Sequence, residues 1–256
     1  LVVCDAHDVR ARALVQEESR ARVVFCALER DDTGDVTPTW LGAPANVTSD
    51  GRQTFDLYMA GMACGRYALR VPGRHNVRNA IAALAACAEG FGVDMTDARS
   101  HLAAFEGVRR RQDLLGTPSG VRVYDDFAHH PTAVDETTRA LRALHPGGAL
   151  WVAFEPRSAT ACRALHQEAY AHAFGAADHV LLAPLGRTNV PEAERLDIER
   201  LARELGPKAQ AMASVEAIVQ RLADGSRAGD TIALLSNGAF GGIHAKLLAA
   251  LSARGT

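Results

Sequence analysis

Short apolar runs alternate along this chain with longer stretches whose apolar residues recur at helical spacing. Residues 1–4 (Leu-Val-Val-Cys) and 22–28, with Val23-Val24-Phe25-Cys26, read as buried strands, and residues 9–18 between them as a helix. Residues 31–50 are polar and carry Gly34, Pro38 and Pro44, so they read as loops around a short strand near Trp40. Asp50-Gly51 is a hairpin signal, and 53–59 and 66–71 beside it read as antiparallel strands. Two helices follow, an alanine-rich one over 79–89 and another over 95–105. An arginine cluster, Arg109-Arg110-Arg111, then marks a boundary, giving domains 1–111 and 112–256.

The second half is more regular. Strands are predicted at 121–125, 149–154, 179–183 and 231–235. Helices are predicted at 132–144, 160–174, 197–205, 215–223 and 243–252. Such alternation implies an α/β domain with a mostly parallel, doubly wound sheet. Val134, Leu141 and Leu144 share one face of the first of these helices, and Thr132 and Asp135 have capping-box spacing. If the strands are parallel, loops 126–131, 155–159, 184–191 and 236–242 share one edge, where ligands of open sheets bind.

Composition narrows the classes. The 28 Lys and Arg against 30 Asp and Glu give a net charge of −2, so no basic surplus points to nucleic acid. No signal peptide and no apolar run of about 18 residues is present, which argues against a membrane span. The five cysteines are odd in number and none are spaced as a metal clip, so buried free thiols in a reducing cytoplasm are expected. The chain starts inside an apparent strand and is read as a piece of a longer protein.

The chemistry concentrates at the strand edge. Residues 121–132 place Asp125 and Asp126 at a strand end, then His129 and His130, then Pro131 at a helix start. Such a group serves either a metal or an anion held by histidine donors and a helix N-terminus. Ala128 stands where an Asp-His-His phosphoesterase core needs a carboxylate, and no second carboxylate cluster accompanies it. Arg157, in Phe154-Glu-Pro-Arg-Ser158, suits a substrate carboxylate. Leu235-Ser-Asn-Gly-Ala-Phe-Gly-Gly242 is a glycine-rich strand-to-helix loop whose N–H groups suit an anion or a peptide. Asn79, after Pro72-Gly-Arg-His-Asn-Val-Arg, matches adenine in its donor and acceptor, but its spacing favours a plain helix cap. The only lysines, Lys208 and Lys246, precede Ala209 and Leu247, so the chain carries no Walker A motif.

Taken together, Gly73-Arg-His-Asn-Val-Arg-Asn79, Phe105-Glu-Gly-Val-Arg-Arg-Arg111 and Asp125-Asp-Phe-Ala-His-His-Pro-Thr132 resemble the ATP-dependent Mur ligases, in order and spacing. The resemblance covers nearly all of the chain. It implies the later part of a central ATP-binding domain followed by a Rossmann-like C-terminal domain. By motif, it places Asn79 at adenine with His75 and Asn76 shaping that loop, and Arg110 and Arg111 at the nucleotide. Asp126 would lie at the ribose or phosphates, and His129 near the reacting phosphate with His130. Arg157, Ser236 and Phe240 would lie against the amine substrate.

ATP and Mg²⁺ are the implied cofactors, with no metal ligand assigned in this chain. The loops 124–132, 154–158 and 236–244 are most similar to members joining UDP-N-acetylmuramate to the tripeptide L-alanyl-γ-D-glutamyl-meso-diaminopimelate, as a cytoplasmic monomer. Members using L-alanine favour Tyr-Gly before the His pair and Gln-Pro-His-Arg after the next strand. Phe127-Ala128 and Glu155-Pro156-Arg157 differ from both. The chain also departs from the tripeptide-using members, with Ala159 where they often carry Asn. The implied reaction passes from the muramoyl carboxylate through an acyl phosphate to the amide. A non-catalytic nucleotide- or peptide-binding module is the reading from another class. Because the chain carries no Walker A motif, it is expected to show no ligase turnover by itself. Turnover measured with ATP, UDP-N-acetylmuramate and tripeptide would contradict that expectation.

Overall fold

Parallel pairing organises the start of the chain. In the computed structural model, which describes residues 1–187 and 189–254, the first strands are β1 (Val2–Asp5) and β2 (Val23–Leu28), joined by α1 (Val9–Glu18). β3 (Trp40–Val47) continues the parallel sheet. β4 (Gln53–Met59) and β5 (Met62–Leu69) then add antiparallel strands, in the order β1-β2-β3-β4-β5. α2 (Arg74–Phe91) lays the stripe Val77, Ala80, Ile81, Leu84 and Ala85 on this sheet, against Trp40, Phe55, Leu57 and Tyr67. α3 (Met95–Ala104) closes this first unit, which spans Leu1–Gly107.

α2 starts several residues ahead of the predicted helix, which corrects the assignment of Asn79 as its cap. Gly73 is the N-cap residue, with φ 112°, a backbone conformation that side chains disfavour. Asn76 Nδ2 donates to Pro72 O at 2.7 Å and ties the first turn to the incoming chain. Asn79 therefore sits exposed on the helix wall.

The second unit, Val108–Thr256, takes in the arginine cluster. Its strands are β6 (Asp113–Gly116), β7 (Arg122–Asp126), β8 (Leu150–Phe154), β9 (His179–Leu182), β10 (Ala209–Ala211) and β11 (Thr231–Leu235). They are ordered β10-β9-β8-β11-β7-β6, all parallel except β6. The short β6 and β10 lie at the sheet's two edges and were not predicted, because neither carries a run of apolar residues.

α4 (Pro131–Leu144), α5 (Gln167–Ala173) and α6 (Ile198–Leu205) cover one face through Val134, Leu141, Tyr170 and Leu201. α7 (Val215–Gly225) and α8 (Ile243–Ala253) cover the other through Ile218, Leu222, Ile243 and Leu247. Strands buried on both faces explain the continuous apolar runs in the sequence.

Two local predictions need correction. The helix expected over 160–174 is a turn, a 3₁₀ turn (Ala164–His166) and the shorter α5. The chain around Cys162 is drawn away from helical pairing: its carbonyl accepts from Leu196 N at 2.9 Å. Nor do Thr132 and Asp135 form a capping box. His130 is the N-cap of α4, its Nδ1 accepting from Thr132 N at a long 3.4 Å, and Pro131 stands at the helix start as predicted. Among the described residues no helix is long and apolar enough to cross a membrane. The five cysteines are free thiols, and burial pushes that of Cys26 up to about 12.

Two histidines at the ends of α4 make this unit sensitive to acid. Burial, then His166 and His129, push the His130 imidazole below its ordinary 6.5, and burial, then Arg122, does the same at His145. The fold thus favours both rings neutral. The unfolded chain takes up protons first as pH falls through 6.5, so stability is full above that value and declines below it. The melting temperature is expected to hold near about pH 8 and to fall by roughly a few degrees near about pH 5.5. His130→Asn keeps a cap acceptor and removes one titrating ring, so its profile should be flatter. Equal declines for parent and variant would exclude His130 as a source.

Candidate functional site at the carboxyl edge of the second sheet

The strand order reverses direction at β11. β11 lies between β7 and β8, yet its following helix α8 packs on the face opposite to α4 and α5. Loops leaving β7 and β8 turn one way and the loop leaving β11 turns the other, the switch point at which ligands of open sheets bind. The residues at these ends are Asp126, Glu155 and Ser236.

Asp125 is the centre of charge compensation. It is only 6% exposed, and burial alone would push its carboxyl up. His244 and Arg110 overcome that and hold it below the usual carboxylate range. His244 Nε2 lies 3.1 Å from Asp125 Oδ1, and Arg110 Nε lies 3.0 Å from Oδ2. Arg110 Nη2 also donates to the carbonyls of Ser236 at 2.7 Å and Gly238 at 2.8 Å. One guanidinium therefore joins the β7 strand end to the loop after β11. Arg110, expected at the nucleotide, uses these nitrogens within the protein.

Asp126, also expected at the nucleotide, is 2% exposed, and its carboxylate faces the backbone. Oδ2 accepts from Gln112 N at 2.8 Å and Oδ1 from Ala128 N at 2.7 Å. The first bond holds a turn in which Arg110 (φ 61°) and Gln112 (φ 51°) are both left-handed, a conformation costing of order 1 kcal/mol or more for each such residue. Arg111, between them, is exposed, with its guanidinium 5.6 Å from the Phe127 ring.

His129 packs edge-on to Phe127 at 5.4 Å, and its Nδ1 is 2.9 Å from Phe127 O. A carbonyl only accepts, so Nδ1 carries the proton and Nε2 is the ring nitrogen left for a ligand. Tyr170 donates its hydroxyl to His129 O. His130 is the cap of α4 and packs edge-on to His166, 4.7 Å away. Ser236 is buried: its hydroxyl donates to Glu155 Oε2 and accepts from Gly238 N at 2.9 Å. Arg157 follows β8 with Nη1 3.7 Å from Glu155 Oε1, and its side chain is 43% exposed. Phe240, expected against the substrate, is wholly buried among Ile218, Ile243 and Leu247, and its ring belongs to the core. Thr188, in the loop 184–191, lies outside the described residues.

The structure thus gathers Arg110, Asp126, His129, Arg157 and Ser236 at one sheet edge. Asp125, Glu155 and His244 join them. Asp125 stood out in the sequence as a candidate ligand and is instead a buried anchor; Glu155 and His244 stood inside the motifs but were not singled out, because their task is to hold neighbours. In the first unit, His75, Asn76 and Asn79 lie on the opening turns of α2. Asp31 anchors those turns, accepting from Arg74 at 2.9 Å and Arg78 at 2.8 Å. Among the described residues no group of three or more His, Cys, Asp or Glu could hold a metal ion.

The family model "Mur ligase, glutamate ligase domain" matches residues 110–238. The chain belongs to the Mur ligase family. The match runs from Arg110 to Gly238, the two residues joined by the guanidinium bond described above. Among curated Mur ligases, the UDP-N-acetylmuramate–L-alanyl-γ-D-glutamyl-meso-2,6-diaminoheptandioate ligase of Escherichia coli is 36% identical over 207 residues, 80% of this chain and 44% of that protein. The UDP-N-acetylmuramate–L-alanine ligase of Alkaliphilus metalliredigens is 32% identical over 191 residues, 74% of this chain and 41% of that protein. The chain therefore spans less than half the length of these relatives. A murein peptide ligase from Psychrobacter arcticus superposes with a TM-score of 0.65 at 28% identity, covering 98% of this chain and 51% of that one. Mur ligases are ATP-dependent amide ligases.

Removing the central carboxylate tests the compensation. Asp125→Ala leaves Arg110 and His244 without their shared partner and should lower unfolding free energy by about 1–3 kcal/mol. Urea denaturation measures this, and a change within about 0.5 kcal/mol would show that the pair contributes nothing to stability.

Proposed function

We propose that this chain is part of an ATP-dependent ligase that joins UDP-N-acetylmuramate to L-alanyl-γ-D-glutamyl-meso-diaminopimelate, in cytoplasmic reuse of cell-wall peptide. The observation that carries the reading is the 36% identity to the E. coli ligase of that name across 80% of the chain. Phe127-Ala128 before the His pair and Glu155-Pro156-Arg157 after β8 support the tripeptide over L-alanine as the amine.

In this reading the groups with exposed surface meet the ligands, and the buried groups hold them. Asn79, with His75 and Asn76, takes adenine. Arg111 takes the nucleotide on a turn that Asp126 fixes, while Arg110 serves it through the Asp125 pair. His129 Nε2 faces the transferred phosphate, with His130 holding the helix start behind it. Arg157 takes a carboxylate of the peptide, and Ser236 supports it through Glu155, while Phe240 supports the loop from the core. ATP supplies the activation of the carboxylate. The chain's own residues align anions and offset their charge, which is most of what phosphoryl transfer asks of a protein. Mg²⁺ held with the nucleotide would offset phosphate charge, and no step here is assigned to it.

A second reading, ligation of L-alanine to UDP-N-acetylmuramate, is favoured by the 32% identity to the A. metalliredigens enzyme. Competition decides between them. The full-length protein containing this chain, given ATP, UDP-N-acetylmuramate and equal tripeptide and L-alanine, is expected to consume tripeptide at least about tenfold faster. Faster consumption of L-alanine would overturn the first reading in favour of the second, and no amide product from either would overturn both.

A further inference from the structure

Two glycines enclose Arg157. Gly186 comes from the loop after β9 and Gly238 from the loop after β11. A Cβ placed on Gly238 would lie 2.1 Å from Arg157 Cδ, 2.3 Å from Nε and 2.9 Å from Cζ. One placed on Gly186 would lie 2.8 Å from Arg157 Cγ, 2.9 Å from Cβ and 3.2 Å from Cα. Non-bonded carbons settle at about 3.5–4.0 Å, so any larger residue at either position collides with the arginine. Neither glycine has the left-handed φ that would call for glycine on backbone grounds. What these positions lack is room, and the arginine occupies it.

The walls of this slot are themselves held. Gly186 N donates to Pro156 O at 2.8 Å. Gly238 N donates to Ser236 Oγ at 2.9 Å, and its carbonyl accepts from Arg110 at 2.8 Å. Arg157's own carbonyl accepts from Arg187 Nε at 2.8 Å. The backbone around Gly238 cannot withdraw without breaking both bonds, so a side chain there would displace the arginine instead.

We propose that Gly186 and Gly238 are positioning residues: together they form a slot that fixes the course of the half-exposed Arg157 side chain at the sheet edge. An arginine ordered before binding loses less rotamer freedom when it meets its ligand. The slot stands on geometry alone. The identity of the ligand, a carboxylate of the amine substrate, rests on the ligase reading above.

The test is a double-mutant cycle in the full-length protein, read two ways. Gly238→Ala should raise KM for the tripeptide roughly tenfold, the loss of one oriented charged hydrogen bond, and leave KM for ATP unchanged. Arg157→Ala should raise tripeptide KM by at least as much. Adding Gly238→Ala to Arg157→Ala should change nothing further, because no long side chain is left to displace. Gly238→Ala should likewise lower the melting temperature in the parent and not in the Arg157→Ala background. Gly186→Ala meets Cγ, which alanine at 157 lacks, and also Cβ and Cα, which it keeps, so it should destabilise both backgrounds.

Equal effects of Gly238→Ala on melting in both backgrounds would overturn the slot, as would no effect in either. The melting arm needs no substrate. Coupling in melting without tripeptide turnover would keep the slot and remove the ligase reading, whereas turnover without coupling would do the reverse.

Discussion

The carboxyl edge of the second sheet depends on one buried charge. Asp125 is the penultimate residue of a strand that is covered on both faces, and its carboxylate has lost most of its water. A buried carboxylate is tolerable only when neutralised and hydrogen-bonded. Arg110 supplies the charge and a hydrogen bond from the turn before β6, and His244, at the start of α8, places its Nε2 3.1 Å from the other carboxylate oxygen. Their positions are therefore fixed relative to β7. Arg110 then fixes a third element, because its Nη2 holds the carbonyls of Ser236 and Gly238.

The neighbouring Asp126 extends this constraint into the backbone. Its bond to Gln112 N–H helps to hold a turn with two left-handed residues, and that turn carries Arg111 to the surface. Strain of this kind persists only where surrounding bonds over-determine it. The two acidic residues thus divide the work. Asp125 locates the loops, and Asp126 shapes the turn that presents the exposed arginine.

The same division runs through the rest of the edge. Glu155 and Ser236 are buried and bonded to each other, while Arg157 beside them is half exposed. Tyr170 and Phe127 hold His129 by its carbonyl oxygen and its Nδ1, leaving Nε2 for a ligand. Each exposed group is backed by a buried one, the arrangement a site needs if it is to align anions without reorganising when they arrive.

Much of this was legible in the chain. Strand-helix alternation gave the α/β class, continuous apolar runs marked the doubly covered strands, and the cluster of motifs carried the resemblance to Mur ligases. Pattern reading failed where particular bonds, local or tertiary, set an element's boundary. The start of α2 follows Gly73 and the Asn76–Pro72 bond, and the segment around Cys162 pairs with Leu196. β6 and β10 are strands because a sheet edge accepts them.

The sequence by itself determined which residue types stand at strand ends, because those positions follow from periodicity and motif order. It did not determine which of them face solvent. Asp125, Asp126, Arg110, Ser236 and Phe240 all read as ligand contacts or site neighbours, and each is mostly occupied by the protein. Only the tertiary structure decided that, since burial and the partner of a charge depend on strand order. Placing β11 between β7 and β8 brought His244, Gly238 and Glu155 to groups far from them in sequence, and no local spacing records that insertion.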